Sequence, residues 1–265
     1  MTTALRAAAL EVDVHLGDVE GNLGRIRAAI ERGAASGARL LVLPELATSG
    51  YVFDDAAEAA HAALTRDDPR LDALRDVLPA GVVAVLGYLE RDGDVLYNSA
   101  VVLTRDAIVG TYRKAHLWDR ESELFEVGDS AGAVYDTPIG RVGVAICYDN
   151  EFPEVPRALA LAGADVLALP VNWPLVPRPD GEHAPEVIQA MGSARSSRLP
   201  TVIADRVGSE RGVAWTGGTT VIDGDGWIAA VPDDGVALAD LTLMPGDKAL
   251  SPRNDLFGDR RPDLY

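Results

Sequence analysis

The stretch that most constrains this chain is residues 140–154, because it contains Cys147, the only cysteine in 265 residues. It reads Gly-Arg-Val-Gly-Val-Ala-Ile-Cys-Tyr-Asp-Asn-Glu-Phe-Pro-Glu. The apolar run that ends at Ile146 predicts a buried strand, and residues 152–154 predict the start of a helix with proline near its first turn. The thiol is therefore expected at a strand-to-helix turn, where open α/β sheets place their chemistry.

Cys147 has two interpretations. A lone free cysteine most often acts as a small core hydrophobe. The polar residues 148–151 follow it directly, however, and a core cysteine seldom opens such a loop. They favour the second interpretation, in which Cys147 is a nucleophile.

Charge and hydropathy exclude several classes of partner. The chain has 24 basic and 41 acidic residues, for a formal net charge of −17, which would repel nucleic acids and anionic membrane surfaces. The first residues lack the long apolar region of a signal peptide, and no apolar run is long enough to span a bilayer. We therefore expect a cytoplasmic protein without nucleic-acid or membrane partners.

The order of predicted elements indicates one α/β domain over residues 1–265. Residues 37–45 and 163–170 each read as a short apolar strand that follows a helix, and this echo predicts two equivalent halves. The apolar strands lack alternation, which is typical of burial on both faces. We expect two mixed sheets packed face to face with helices outside.

The other predicted elements follow from hydrophobic periodicity and turn residues. Helices are expected at residues 18–33, 56–64, 71–78 and 184–198. Strands are expected at residues 3–14, 82–89, 96–103, 108–112, 201–204, 219–222 and 227–230. After residue 241 the chain reads as irregular, and the tail, residues 244–265, is expected to pack on a surface, such as a subunit interface.

Three apolar runs end on residues that suit nucleophilic acyl chemistry, namely Glu45, Lys114 and Cys147. Such chemistry uses a thiolate nucleophile, a carboxylate that carries protons and a cation that stabilises an oxyanion. Lys114 is one of only two lysines, with Lys248, in a chain that otherwise uses arginine, which suggests a need for a compact ammonium. Taken singly, each charged residue is more often solvated or in a structural ion pair.

The residues around this set make it specific. Leu-Pro-Glu at 43–45 precedes Gly-Tyr at 50–51, Tyr-Arg-Lys at 112–114 precedes His-Leu at 116–117, and Cys-Tyr-Asp at 147–149 precedes Phe-Pro-Glu at 152–154. In order and spacing these motifs resemble the nitrilase superfamily of carbon–nitrogen hydrolases. The resemblance covers nearly the whole chain.

The resemblance implies a four-layer αββα sandwich and a catalytic set formed by Glu45, Lys114 and Cys147. A further catalytic glutamate matches Glu121, with Glu123 and Glu126 as nearby competitors. Glu121 could orient the substrate or water, or it could pair with a neighbouring arginine.

The resemblance also implies how the site binds its substrate. The backbone N–H of Tyr148 would join Lys114 in stabilising the oxyanion. Expected substrate-binding residues are Tyr51, Trp118, Phe152, Asn172 and Trp173, although each aromatic could equally fill the core. No metal or cofactor is expected, and the four histidines lack ligand spacing.

Cys-Tyr-Asp, where true nitrilases typically have Cys-Trp-Glu, resembles the amidase and carbamoyl-hydrolase side of the superfamily. The resemblance implies hydrolysis of a small aliphatic primary amide to an acid and ammonia through a thioester. The alternatives are an N-carbamoyl amine or amino acid hydrolase, a nitrilase, a Cys-His thiol hydrolase using His116, and a non-catalytic binding protein of the same fold. Asp205 stands where relatives usually have asparagine, so fine specificity does not transfer. Relatives commonly dimerise, and a homodimer or larger homo-oligomer is expected.

Overall fold

The computed structural model describes residues 3–246 and 248–264. The helices of this part of the chain are α1 (Val19–Ala35), α2 (Ala56–Ala62), α3 (Pro69–Asp72), α4 (Glu121–Leu124), α5 (Glu154–Leu161) and α6 (Pro185–Ser197), with 3-10 helices at Ala73–Val77 and Cys147–Glu151. The strands of the first half are β1 (Thr3–Leu10), β2 (Leu40–Val42), β3 (Val83–Asp92), β4 (Val95–Thr104) and β5 (Ile108–Arg113). The remaining strands are β6 (Ala133–Thr137), β7 (Gly140–Val144), β8 (Val166–Pro170), β9 (Thr201–Ala204), β10 (Ser209–Glu210), β11 (Val213–Ala214), β12 (Thr220–Ile222), β13 (Ile228–Ala230), β14 (Val236–Leu243), β15 (Ala249–Ser251) and β16 (Asn254–Asp255).

Two six-stranded mixed sheets form the centre of the fold, in the orders β14-β1-β2-β3-β4-β5 and β13-β12-β9-β8-β7-β6. In the first sheet β1, β2 and β3 are parallel, while β4, β5 and β14 add antiparallel. In the second sheet β7, β8 and β9 are parallel, while β12, β13 and β6 add antiparallel. The same order of pairings in both sheets confirms the two equivalent halves that the sequence echo predicted.

Side chains of β2 show why these strands carry no polar alternation. Leu40 and Val42 join the core cluster that contains residues of both sheets. Leu41 points to the opposite face, where it packs in a second cluster with Ile26 and Ile30 of α1. Because both faces of the strand are covered, the fold is the predicted αββα sandwich.

Several predicted boundaries were wrong. The first strand ends at Leu10 rather than residue 14, and the helix expected at 71–78 is one α-helical turn followed by a 3-10 helix. The sequence analysis missed β14, which pairs with β1 along the whole strand from Thr3–Leu243 to Leu10–Val236. Its half-exposed pattern, set by an edge position, gave too weak an apolar signal.

The chain after β14 packs on the same protomer's second half. Strands β15 and β16 form a hairpin, and the Lys248 ammonium donates to the carbonyl of Arg198 at 2.9 Å. The guanidinium of Arg157 in α5 lies 5.0 Å from the centre of the Phe257 ring. Asp247 and Tyr265 of the predicted tail lie outside the described residues. Its role at a subunit interface stays a prediction.

Within residues 3–246 and 248–264, no helix has the length and apolar character needed to cross a bilayer.

Candidate active site

Glu45 follows β2 and is held in place by close contact with β3. The next residue, Leu46, has a left-handed backbone with φ of 46°. Gly87 of β3 lies so near that an added Cβ would be 2.4 Å from the Glu45 Cα atom. Gly87 also donates its N–H to the Pro44 carbonyl at 3.0 Å and accepts from the Ala47 N–H at 2.9 Å. A glycine in the middle of a strand therefore fixes the backbone that presents Glu45.

Lys114 follows β5 and lies at the centre of a buried charged cluster. Its ammonium donates to Glu45 Oε1 at 2.7 Å and to both oxygens of Glu121, at 3.0 and 2.8 Å. The Asn98 side-chain amide in β4 donates to Glu45 Oε1 at 2.6 Å and to Glu121 Oε1 at 2.8 Å. Lys114, Glu45 and Asn98 are 0% exposed and Glu121 is 3% exposed, so protein donors replace water around both carboxylates.

The contacts of Glu121 distinguish it from the two competing glutamates, Glu123 and Glu126. Glu121 Oε2 also accepts the Trp118 N–H at 2.7 Å, whereas Glu123 and Glu126 are exposed. Arg113 and Arg120, the neighbouring arginines that could have paired with Glu121, pair with other carboxylates. Of the three glutamates, only Glu121 joins the cluster around Lys114.

Cys147 begins the 3-10 helix directly after β7 and has a φ of 47°. A non-glycine residue in the left-handed region typically stores about 1–3 kcal/mol of strain, which surrounding contacts must hold. The buried Asp149 carboxylate supplies those contacts, since it accepts the Ile146 N–H at 2.9 Å, the Tyr112 hydroxyl at 2.8 Å and the His116 N–H at 3.0 Å. Asp149 thus ties the nucleophile turn to the chain around Lys114.

The His116 ring belongs to this support. Its Nδ1 lies 2.7 Å from Asp149 Oδ1, and its face stacks on Phe152 with 3.9 Å between ring centres. The Cys147 thiol instead contacts the Asn172 carbonyl at 4.0 Å. This arrangement gives no geometric support to the Cys-His alternative.

The charges of the cluster decide where protons reside. Burial raises the pKa of the Cys147 thiol well above its ordinary value, and Glu45 raises it further, against the opposing effect of Lys114. Burial also raises the pKa of Glu45 to about 7, although Lys114 opposes this shift. Burial alone would lower the pKa of Lys114, but the charges of Glu121 and Glu45 outweigh it and raise that pKa. The free site therefore combines a neutral thiol with a carboxyl that titrates near neutrality.

One oxygen of Glu45 is available for a new proton. Oε1 accepts from Lys114 and Asn98, but Oε2 is buried without a hydrogen-bond partner among the described residues. A buried acceptor without a partner is costly unless a ligand or a proton uses it. Together with the pKa near 7, this fits a general base.

A cavity of about 240 Å³ opens onto Cys147. Its lining residues are Trp118, Cys147, Tyr148, Glu151, Trp173, Pro174 and Glu186. A second cavity, of about 260 Å³, shares Trp118 and Pro174 with the first and contains Tyr51 and Glu121. Each is smaller than the roughly 300–1,000 Å³ of a drug-sized site, so the geometry suits a small substrate.

The five predicted pocket residues occupy different places. Trp118 and Trp173 line the cavity at Cys147, and Tyr51 lines the second cavity. Phe152 lines neither and stacks on His116. Asn172 also lines neither, and its side-chain amide donates to the Glu45 carbonyl at 2.9 Å. Asn172 and Phe152 thus support the residues that face the cavities.

Asp205 holds Trp173 in position. Its buried carboxylate accepts the backbone N–H groups of Trp173, Arg206 and Gly218 at 3.1, 2.8 and 2.7 Å. Burial raises the pKa of Asp205 to about 7. Asp205, which stands where relatives usually have asparagine, therefore lies directly behind Trp173 in the cavity wall.

Glu210 presents Tyr51 to the second cavity. One carboxylate oxygen accepts the N–H groups of Tyr51 and Val52 at 2.8 and 2.6 Å, and the other accepts from Arg206 at 2.8 Å. The Tyr51 hydroxyl is buried, which raises its pKa, and the charge of Glu121 raises it further. Tyr51 therefore remains a neutral phenol.

Sequence reasoning missed Asn98, Gly87 and Glu186. Asn98 had a signal, because it and Ser99 are polar residues inside the predicted strand at 96–103. Gly87 had a weaker one, since a glycine inside a strand often marks the close approach of another backbone. Glu186 had none, because an acidic residue in the first turn of a helix is common.

Within residues 3–246 and 248–264, no three His, Cys, Asp or Glu side chains are grouped so as to hold a metal ion.

Known proteins resemble this chain in sequence and in structure. A family model described as carbon-nitrogen hydrolase matches residues 5–243. A nitrilase from Pyrococcus abyssi is 36% identical over 98% of this chain and 99% of its own. An N-carbamoylputrescine amidase from Solanum lycopersicum is 30% identical over 94% of this chain and 89% of its own. The crystal structure of an amidase from Nesterenkonia sp. is 25% identical with a TM-score of 0.79, over 98% of this chain and 94% of that one.

Proposed function

The chain belongs to the carbon–nitrogen hydrolase family and is an enzyme of that family, and from this premise we propose that it hydrolyses a small aliphatic primary amide to a carboxylic acid and ammonia. The observation that carries the proposal is the buried Lys114 ammonium, 2.7 Å from Glu45 in a site with a cavity lined by Cys147. A nucleophile, a proton carrier and a cation meet there.

In the first half-reaction the Cys147 sulfur attacks the amide carbon while Glu45 takes the thiol proton on its free Oε2. The proton must move during the attack, because burial keeps the thiol neutral. Negative charge develops on the amide oxygen, and the Lys114 ammonium and the Tyr148 N–H stabilise it. The Tyr148 N–H lies in the first turn of the 3-10 helix, where N–H groups lack an intrahelical acceptor.

Glu45 then donates its proton to the leaving nitrogen, which departs as ammonia and leaves a thioester on Cys147. In the second half-reaction Glu45 deprotonates a water molecule, which attacks the thioester carbonyl. The C–S bond then breaks, the acid is released, and Glu45 returns its proton to the Cys147 sulfur. One carboxyl with a pKa near 7 serves both steps, because it can accept and release a proton near neutral pH.

Glu121 takes no proton in this scheme. Both of its oxygens accept from Lys114, and Oε2 also accepts from the Trp118 backbone. It lines the second cavity, where it orients the amide nitrogen or the attacking water by hydrogen bonding. It also holds Lys114 in its charged form.

The test is ammonia release from primary amides of two to six carbons, with N-carbamoyl compounds and nitriles assayed in parallel. We expect turnover of primary amides by the parent enzyme and a loss of at least about a thousandfold in Cys147→Ala. Mass spectrometry should detect an acyl adduct on Cys147 when deacylation is slowed. Turnover unchanged in Cys147→Ala would refute the proposed chemistry.

An N-carbamoyl amine or amino acid is the second candidate substrate, favoured by the similarity to an N-carbamoylputrescine amidase. The same attack on a carbamoyl carbon releases carbon dioxide as well as ammonia. Equimolar carbon dioxide and ammonia from a carbamoyl compound, with primary amides inert, would replace the amidase proposal with this one.

We also propose that the enzyme acts in the cytoplasm as a homodimer or a larger homo-oligomer, with residues 244–265 at a subunit interface. The hairpin of β15 and β16 supports this, because most of its strand residues are exposed. Light scattering should give at least twice the monomer mass, and removal of residues 249–265 should lower it. A monomer at micromolar concentration would contradict this expectation.

A further inference from the structure

The cavity at Cys147 carries two carboxylates that the proposed chemistry does not use, Glu151 and Glu186. Glu151 ends the 3-10 helix that begins at Cys147, and Glu186 lies in the first turn of α6. Cys147 is 4% exposed, whereas Glu151 is exposed. The cavity therefore runs from a buried nucleophile to an acidic mouth.

These two carboxylates have no cation beside them. No ion pair involves either Glu151 or Glu186 within residues 3–246 and 248–264. Glu186 is half-buried, and its Oε2 is buried without a hydrogen-bond partner among the described residues. Partial burial and the nearby charge of Glu186 raise the pKa of Glu151. The mouth thus concentrates negative charge at a cost to the free protein.

Lys114, the cation of the catalytic set, forms no ion pair with either of them. The Lys114 ammonium already donates to Glu45 and to both oxygens of Glu121. The other residues that line the cavity are uncharged, and they include the indoles of Trp118 and Trp173. The Trp173 Nε1–H is a second buried polar group without a partner among the described residues, on a side chain only 2% exposed.

Carboxylates together with aromatic faces are the combination that recognises an ammonium group in proteins. An ammonium at the mouth would donate charge-assisted hydrogen bonds to Glu151 and Glu186 and remove their mutual repulsion. An anionic group there would be repelled by the same pair, and an alkyl group would leave both carboxylates uncompensated.

We propose that this cavity selects substrates that bear an alkylammonium group at the end remote from the scissile C–N bond, with Glu151 and Glu186 as its specificity-determining residues. The inference rests on the proposed function of the Cys147 site. It concerns the distant end of the substrate, so it applies equally to a primary amide and to a carbamoyl compound.

The test compares three amides of matched length: 5-aminopentanamide, which is cationic, hexanamide, which is neutral, and adipamic acid, which is anionic. We expect kcat/KM for 5-aminopentanamide to exceed that for hexanamide by at least about tenfold, because a hydrogen bond to a charged group contributes at that level. Adipamic acid should be the poorest of the three. The matched carbamoyl pair is N-carbamoylputrescine and N-pentylurea.

Glu151→Gln and Glu186→Gln should each reduce the cationic-to-neutral ratio of kcat/KM severalfold, and the double variant should bring it near one. Glu182→Gln is the matched control, since Glu182 is exposed in the loop before α6 and lines neither cavity. It removes the same charge and should preserve the ratio. Equal rates for all three amides in the parent enzyme, all lost in Cys147→Ala, would overturn the ammonium proposal and leave the amidase proposal intact.

A binding measurement tests the same inference without turnover. Iodoacetamide alkylates cysteine thiols, Cys147 is the only cysteine of the chain, and an occupant of the cavity should slow its alkylation. We expect pentylamine, which is protonated at pH 8, to protect Cys147 at concentrations at least about tenfold lower than pentanol does. Equal protection by the two, or protection by pentylamine that persists in the Glu151→Gln/Glu186→Gln variant, would refute the assignment whether or not any amide is hydrolysed.

Discussion

Two pairs of glutamates lie at the site, and they differ in what surrounds them. Glu45 and Glu121 share the Lys114 ammonium and the Asn98 amide, so their charges are compensated inside the protein. Glu151 and Glu186 have no such partner within the described residues, and one oxygen of Glu186 is buried without a hydrogen bond. The charges of Glu45 and Glu121 are balanced before substrate binds. In our proposal the charges of Glu151 and Glu186 are balanced only by the ammonium group of the substrate. Changes at the first pair should therefore have larger effects than changes at the second.

Lys114→Met should leave the carboxylates of Glu45 and Glu121 without a cation. Removing one partner of a buried ion pair typically destabilises a protein by about 3–5 kcal/mol. Loss of an oxyanion donor typically lowers kcat by a further hundredfold to about a thousandfold. Urea unfolding and steady-state kinetics measure the two effects, with Lys248→Met as the control for lysine removal. A fully active Lys114→Met enzyme would contradict the role given to this ammonium.

Gly87→Ala should displace Glu45 while leaving every charge in place. The new methyl would lie 2.4 Å from the Glu45 Cα atom, so the Glu45 backbone must shift. Such overpacking costs about 1–3 kcal/mol. Displacing a catalytic group by about 1 Å commonly costs about a hundredfold in rate. Gly24→Ala, at an open position in α1, is the control, and parent-like kcat in Gly87→Ala would show that Glu45 needs no such placement.

Asn98→Asp should move the pH dependence of the reaction. Glu45 must be ionised to accept the thiol proton, and its pKa is about 7, so kcat/KM of the parent enzyme should fall as pH drops below about 7. A third carboxylate within hydrogen-bonding distance of Glu45 and Glu121 should raise that pKa, moving the acidic limb upward by about one unit or more. Asn98→Ala separates the lost amide from the added charge and should shift the limb less. If the acidic limb of the pH profile does not move, a group other than Glu45 controls it.

Glu151→Gln should slightly stabilise the free protein, in contrast to any change at the first pair. It removes a carboxylate whose charge is disfavoured by partial burial and by Glu186, a gain of at most a few tenths of a kcal/mol. Thermal unfolding at low salt should therefore give an equal or higher Tm than the parent, and added salt should reduce the difference. A lower Tm would indicate that Glu151 is already compensated and would remove the contrast between the pairs.

Much of this molecule was determined by local sequence. Continuous apolar runs predict strands buried on both faces, and the echo of residues 37–45 in residues 163–170 predicts the repeated sheet order. The strand ends that carry Glu45, Lys114 and Cys147 could be identified because each apolar run stops at a polar residue of a reactive type. These features depend on residues a few positions apart.

Other features depend on residues far apart in the chain, and only the tertiary structure decided them. Asn98 contacts Glu45 across 53 positions, and Trp173 is held by Asp205 across 32. Glu121 differs from Glu123 and Glu126 only because the fold buries it against Lys114. Likewise, nothing local sets Glu186 beside Cys147, since α6 reaches this cavity only by packing on the nucleophile turn. The sequence determines which groups can react, but compensation of their charges is a property of neighbours in space.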